Sequence, residues 1–456
     1  MPNMMNALSL MGDRTFDTLP VQDVDALFAA DMIYNTLGPL PASAKGIGLA
    51  DLTERMPAPE GDRSDFNLEC EALQQAMAGS ARYRHAIVSH FVDILDNSLP
   101  LQFAAAVIRP ENGPVMVTYR GTDNTITGWR EDLYLAFETP IPAQLKAVEY
   151  LEAIAAEVPG PILLTGHSKG GNLAVYAGVH CSPAVRERLL GVWSFDGPGL
   201  DDATITSEAY AAVEDRIHSF MPQGSVVGLL LAYQERHTLV HSTALGIMQH
   251  DTFSWQTDRL DFVPEKHTTL PSRLTDRTLH TFLEGCTPEQ RRICVESLFD
   301  LLDATNDGTM SALREDKVRV LAMLLEAAHK MDEETMHVFL YVAGQLLHAT
   351  AAGAASLLSD GSLVDELRDH WDNVSQEQAT RWLKRLPREE VRQEVRQRLQ
   401  ELPHYEQMKQ TVQEMEQKLS ALPHDQLRQH MLEAAAQLRH KTAPRGDEPA
   451  SSETPS

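Results

Sequence analysis

Ser168 stands in Gly166-His167-Ser168-Lys169-Gly170, a serine between glycines at the spacing G-x-S-x-G. A serine hydroxyl is a weak nucleophile at neutral pH. It needs a base for its proton, a carboxylate to orient that base, and N–H donors for the developing oxyanion. This spacing fits the tight strand-to-helix turn that lifts a hydroxyl above a parallel sheet, with glycines where close packing leaves no room for Cβ. The other reading of the same residues is a glycine-rich loop that caps a helix.

Downstream of Ser168 the candidate bases are His218, His237, His241, His250, His267 and His280. His250 follows the last expected sheet strand, in a loop-like stretch, which makes it first choice. Asp196 is the best-placed acid, at the C-terminal end of an expected strand where catalytic groups gather in α/β sheets. Asp215 and Asp251 are weaker candidates. The backbone N–H of Lys169 comes with the turn as one oxyanion donor, and Thr122, after Gly121 at another strand end, fits the second. His167 adjoins the serine, but neighbours at so sharp a turn point apart. It is expected to position the site or touch substrate.

The elements that must hold these residues alternate between strand and helix. Residues 162–165 read as a buried strand and 173–179 as the helix after it. Residues 103–109 and 115–119 read as adjacent strands, 143–157 as an amphipathic helix, and 191–195 and 216–220 as further strands. That alternation implies a mostly parallel sheet flanked by helices. Ahead of it, Val21 to Ile33 suggests a packed helix, 36–60 a loop, and 66–98 a helical stretch.

Strand signals vanish from about residue 270, where helices dominate. The expected organisation is an α/β domain over 1–265, a helical region over 266–375, a helical hairpin or coiled-coil-like appendage over 376–440, and a disordered tail over 441–456. The stretch Asp303-Ala-Thr-Asn-Asp-Gly-Thr lacks the full ligand spacing of a calcium loop and reads as a turn between helices. No cofactor or metal is expected.

At 456 residues the chain exceeds one ordinary core, and 39 Lys+Arg against 65 Asp+Glu give a net charge of −26. That charge disfavours nucleic acid and anionic membrane as bulk partners. Four scattered cysteines without a C-x-x-C pair, no apolar run long enough to span a bilayer and no secretory leader point to the cytoplasm. Transient membrane contact through an apolar patch remains open.

Two blocks together carry a resemblance. Val117-Thr-Tyr-Arg-Gly-Thr122, followed by Gly128-Trp129-Arg-Glu-Asp132-Leu133, resembles the R-G-[ST] and W-x-x-D-L blocks of class 3 (fungal-type) lipases. Gly166-His-Ser-Lys-Gly-Gly171 resembles their G-H-S-x-G-G elbow. The ensemble, with Phe16-Asp-Thr-Leu-Pro20, Phe195-Asp-Gly-Pro-Gly199, Gly224-Ser-Val-Val-Gly228 and Gly246-Ile-Met-Gln-His250, resembles more closely the bacterial Mbeg1-like family, related to those lipases. The likeness runs over roughly residues 10–265. It implies an α/β-hydrolase fold, Ser168 as nucleophile, Thr122 and Lys169 as oxyanion donors and His250 as base. In class 3 lipases the triad acid stands at the place of Ser225, which is no carboxylate. Asp196 has then taken the role from the neighbouring strand, or catalysis is impaired. Lys169, where the lipases usually carry Leu, is expected to put a cation near the mouth of the site.

The leading expectation is a serine hydrolase cleaving carboxylic esters, of a lipid or acylglycerol, through an acyl-enzyme. The alternative is a non-catalytic hydrolase fold that binds a protein partner through its C-terminal helices. Thioesterase or amidase chemistry would use the same triad.

Overall fold

The computed structural model describes residues 2–35, 46–55, 64–229 apart from 124 and 136, residue 231, 237–269 and isolated residues between 272 and 296. The expectations for 376–440 and 441–456 lie outside the described residues, and so does nearly all of 266–375.

Eight strands form one sheet in sequence order: β1 (Ile47–Gly48), β2 (Ile87–Asp96), β3 (Leu101–Arg109), β4 (Val115–Tyr119), β5 (Ile162–His167), β6 (Leu189–Phe195), β7 (Ile217–Pro222) and β8 (His237–Val240). β1 to β4 pair antiparallel. β4 to β8 pair parallel, with Val117 opposite Leu164 and Leu164 opposite Val192 in the central register. The expected fold class holds over the described residues: a mostly parallel sheet flanked by helices.

Two departures from the sequence reading are instructive. The helix expected over 66–98 ends at Gly79, and residues 87–96 are a strand. Apolar Ile87, Val88, Phe91, Val92, Ile94 and Leu95 satisfy helical and strand spacing alike. Antiparallel pairing of β2 with β3 decides for the strand. The loop expected over 36–60 contains β1 and a short helix at Leu49–Glu54. β8 carried too few apolar residues to be read as a strand.

Strand side chains alternate between two apolar layers. On one face Val107, Val117, Leu164 and Val192 pack against helices at Pro142–Glu157 and Lys169–His180. On the other, Ile108, Met116, Leu163 and Trp193 meet N-terminal helices at Met4–Met11 (α1) and Asp23–Met32 (α2).

α2 is apolar all round: Val24 to Met32 are all buried, Asp25 and Asp31 included. Burying Leu27, Phe28 and Met32 contributes roughly 1.5–3 kcal/mol each. The helix lies across three strands. Trp193 Nε1 donates to Asp23 Oδ1, Thr165 Oγ1 to the Ala26 carbonyl and Thr118 Oγ1 to the Ala29 carbonyl, at 2.7, 2.9 and 3.0 Å. Thr118, Thr165 and Trp193 are register partners on β4, β5 and β6. Acceptors three residues apart on one helix face therefore fix the crossing.

Candidate active site

β5 runs into Ser168, and the helix that follows begins at Lys169. Ser168 has φ +58° and ψ −135°, a strained backbone held by its N–H bond to the Phe195 carbonyl at 2.9 Å. A Cβ at Gly170 would lie 2.1 Å from the Tyr119 carbonyl oxygen, so only glycine permits this approach of helix to strand. Ser168 is partly exposed at the C-terminal end of the sheet. The Lys169 N–H belongs to the first turn of the helix, where amides lack intrahelical acceptors.

The loop after β4 lies against this turn. A Cβ at Gly121 would stand 2.6 Å from the His167 carbonyl oxygen and 3.0 Å from Ser168 Cβ. Thr122 follows, its hydroxyl donating to Asp132 Oδ2 at 2.5 Å. Burial pushes the Asp132 carboxyl up to about 6, against the pull of Lys169 and Thr122.

The Lys169 side chain corrects one expectation. Its ammonium is 1% exposed, away from the site mouth. It donates to Gln102 Oε1 and Glu131 Oε2, both at 2.8 Å, and to the Gln102 carbonyl at 3.1 Å, with Asp132 Oδ1 at 3.8 Å. Glu131 Oε1 and Oε2 in turn accept the backbone N–H groups of Ala143 and Gln102. Desolvating an ammonium is tolerable only with such a set of acceptors. The cation thus ties the Ser168 turn to β3 and to the helix Ile126–Tyr134.

Asp196 follows β6 with φ +48° and is buried. Its Oδ2 accepts from His250 Nδ1 at 2.6 Å. Its Oδ1 accepts from Ser225 Oγ at 2.5 Å and from the Gly228 N–H at 3.2 Å. With Nδ1 turned to Asp196, Nε2 is the His250 nitrogen left to face a reacting group. The Asp196 loop is pinned by Asn172, whose side chain donates to the Gly199 carbonyl at 2.6 Å and accepts from Gln144 at 2.9 Å.

His250 is brought back by its own loop. The Gly224 N–H donates to Gln249 Oε1, and the Trp255 indole donates to the Gln249 carbonyl, both at 2.8 Å. The His250 ring lies 4.6 Å from the ring of His167, the residue beside Ser168. His167 itself is buried, its Nε2 donating to the His250 carbonyl at 2.9 Å and its Nδ1 facing Asp31 Oδ1 at 3.4 Å. Its ring is thus engaged by protein on both nitrogens, where the sequence reading had offered it to substrate.

The remaining histidines go elsewhere. His218 stacks on Trp193, and His241 contacts Glu265 at 2.5 Å. His237 contacts Ser219 Oγ at 2.7 Å, and burial pushes its imidazole down to about 4. His267 is exposed, and His280 lies outside the described residues. Asp215 sits in a turn before β7, and Asp251 caps the next turn by accepting the Phe253 N–H. Among the described residues no group of three or more His, Cys, Asp or Glu side chains is placed to hold a metal ion, and no helix is long and apolar enough to cross a membrane.

Residues 77–300 match the Mbeg1-like family. Two solved structures similar to this chain are lipases. M37 lipase is 12% identical, with a TM-score of 0.30, over 46% of this chain and 70% of that one. The native Rhizomucor miehei lipase propeptide complex is 12% identical, with a TM-score of 0.30, over 50% of this chain and 75% of that one. No curated protein matches by sequence.

Sequence reasoning passed over Asp31, Tyr34, Glu131 and the bonding role of Ser225. One signal was available: carboxylates inside a helix apolar on every side must find buried partners.

Proposed function

We propose that this chain is a serine hydrolase acting on carboxylic esters through an acyl-enzyme. The observation that carries the reading is the 2.6 Å contact between His250 Nδ1 and Asp196 Oδ2, made beside the Ser168 turn by residues far apart in sequence. Ser168 attacks the ester carbonyl while His250 Nε2 takes its proton, and Asp196 holds the ring and stabilises the imidazolium. The Lys169 and Thr122 N–H groups receive the oxyanion. Protonated His250 then gives its proton to the leaving alcohol, and water repeats the sequence to free the acid.

A lipid or acylglycerol ester is the substrate class we favour. Leu245 and Met248, on the loop that carries His250, are 84% and 65% exposed, an apolar rim suited to an acyl chain or to passing contact with a lipid surface. Cys70 and Cys181, both buried and neither in a disulfide, suit a reducing compartment such as the cytoplasm.

The platform reading drew on the missing carboxylate at Ser225 and on the C-terminal helices. Ser225 donates to a carboxylate that itself holds His250, which weakens the first motive. Activity-based labelling with a fluorophosphonate tests the proposal. Wild type should be labelled at Ser168, Ser168→Ala should not, and Asp196→Asn should label far more slowly. Absence of Ser168-dependent labelling, together with no turnover of p-nitrophenyl esters, thioesters or anilides, would sink it.

A further inference from the structure

We propose that the N-terminal helix α2 and the turn that follows it are a working part of the active site, positioning the base loop through Asp31 and the oxyanion loop through Tyr34, with His167 as the joint between them. The inference rests on the serine-hydrolase reading.

Asp31 is fully buried. Its Oδ2 accepts from Thr252 Oγ1, two residues past His250, at 2.6 Å. Its Oδ1 and His167 Nδ1 have no other hydrogen-bond partner and face each other at 3.4 Å. His167 Nε2 donates to the backbone carbonyl of His250. The base loop is therefore gripped at residues 250 and 252 by one carboxylate, once directly and once through His167.

Tyr34 works on the other side. Its hydroxyl accepts the Gly121 N–H at 3.1 Å and donates to the His167 carbonyl at 3.3 Å. That single oxygen sets the spacing between the oxyanion loop and the Ser168 turn. The ring is packed 5.1 Å from Phe66 and 5.8 Å from His167. Because three strands fix where α2 crosses the sheet, Asp31 and Tyr34 arrive with the rigidity of the sheet behind them.

A buried carboxylate without a cation is expensive. The protonated His167 ring answers Asp31 on one nitrogen and the His250 carbonyl on the other, a donor pattern only the imidazolium supplies. Burial alone would push His167 down, but Asp31, Asp196 and the His250 carbonyl together hold it above the ordinary histidine range. The His250 ring lies 4.6 Å from that of His167 and the Tyr34 ring 5.8 Å, the Tyr34 hydroxyl raised by burial. The remaining ionisable groups facing this cluster, Asp251 on the base loop and Glu69 on the helix Asp65–Gly79, are both raised by burial first. Neither is a cation, so neither can replace His167.

The test uses the full chain and p-nitrophenyl butyrate. In Asp31→Asn the kcat should fall about tenfold to a hundredfold with KM nearly unchanged, as expected when catalytic groups are misplaced rather than removed. The alkaline limb of its pH–rate profile should move to lower pH, since His167 loses the anion that holds its proton. Tyr34→Phe should lower kcat without moving that limb. Arg188 lies just before β6, at the end of the sheet opposite Ser168, and donates to the Ala155, Val158 and Gly160 carbonyls, so Arg188→Met should lower the melting temperature while kcat and pH profile stay. If wild type turns over through Ser168 but Asp31→Asn keeps its kcat and its alkaline limb, the inference is overturned and the hydrolase reading survives. Loss of kcat in Arg188→Met equal to that in Asp31→Asn overturns it too, because the effect is then general loosening. Wild type with no Ser168-dependent turnover overturns both.

Discussion

Ser225 Oγ donates to Asp196 Oδ1 at 2.5 Å, joining the loops beyond two neighbouring strand ends. The resemblance to class 3 lipases puts the triad acid at residue 225. Asp196 stands one strand over, at the end of β6, with Ser225 as its hydrogen-bond donor, and under the proposed reading it takes the acid's place. In the proposed triad the His250 Nδ1–Asp196 Oδ2 contact orients the base.

An exchange of this kind has a direct test. Asp196→Asn should lower kcat by about three to four orders of magnitude, because the amide favours the wrong imidazole tautomer. Ser225→Ala should cost far less, since the Gly228 N–H still donates to Oδ1. Ser225→Asp should be nearly as damaging as Asp196→Asn. Two carboxylates in contact cannot both ionise, and the proton they share weakens the hold on His250. Retained activity in Asp196→Asn with loss in Ser225→Ala would reverse this assignment.

Lys169→Leu, which installs the residue usual in class 3 lipases, should destabilise the fold by about 3–5 kcal/mol by leaving the Glu131 carboxylate buried without its cation. Adding Glu131→Gln should recover much of the loss, because the two changes share one network. Urea unfolding of the three chains measures both effects. Additive losses would show that the pair is not coupled.

Asp132 should make stability depend on pH in a particular direction. Its carboxyl is raised from 3.8 to about 6 in the folded chain, chiefly by burial. The folded state therefore holds the proton more tightly than the unfolded state. The resulting stabilisation is full below about pH 4 and is lost as pH rises through about 6. Unfolding free energy of wild type should drop relative to Asp132→Asn across that window. Parallel curves for the two would refute it.

Arg82→Met should cost about 3–5 kcal/mol, because it strands a buried carboxylate. Asp25 accepts from Arg82 Nε at 2.8 Å, Arg82 Nη2 at 2.6 Å and the Tyr83 hydroxyl at 2.5 Å, with both charged side chains fully buried. The Tm should fall by several degrees, and Asp25→Asn with Arg82→Met should fall less than the two separate changes summed.

Thr122→Val removes the hydroxyl and keeps the backbone donor. Its kcat should fall about tenfold to a thousandfold, less than in Ser168→Ala, with the greater loss if the hydroxyl itself reaches the oxyanion. An unchanged kcat would confine Thr122 to its backbone.

Much of the fold was legible in the residues. The strands at 115–119, 162–167 and 189–195 are short apolar runs bounded by Gly, Pro and Asp, and their alternation with helices fixed a parallel arrangement. The Ser168 turn was legible because local sterics alone demand its glycines. β2 was not, because its spacing serves two periods and only a partner strand chooses between them.

The amino-acid sequence by itself determined the elbow, the strand that feeds it and the order of the candidate groups around it, since each follows from local backbone and periodicity. Which histidine meets which carboxylate was decided by tertiary structure. Asp196, Ser225 and His250 share no local period and meet only when parallel strands bring their ends together. The same holds for Lys169. Its sequence position beside Ser168 suggested an exposed cation, whereas the helix geometry turns the side chain inward to Glu131. Electrostatic partners in a folded chain are chosen by distance in space, and no spacing along the chain encodes that.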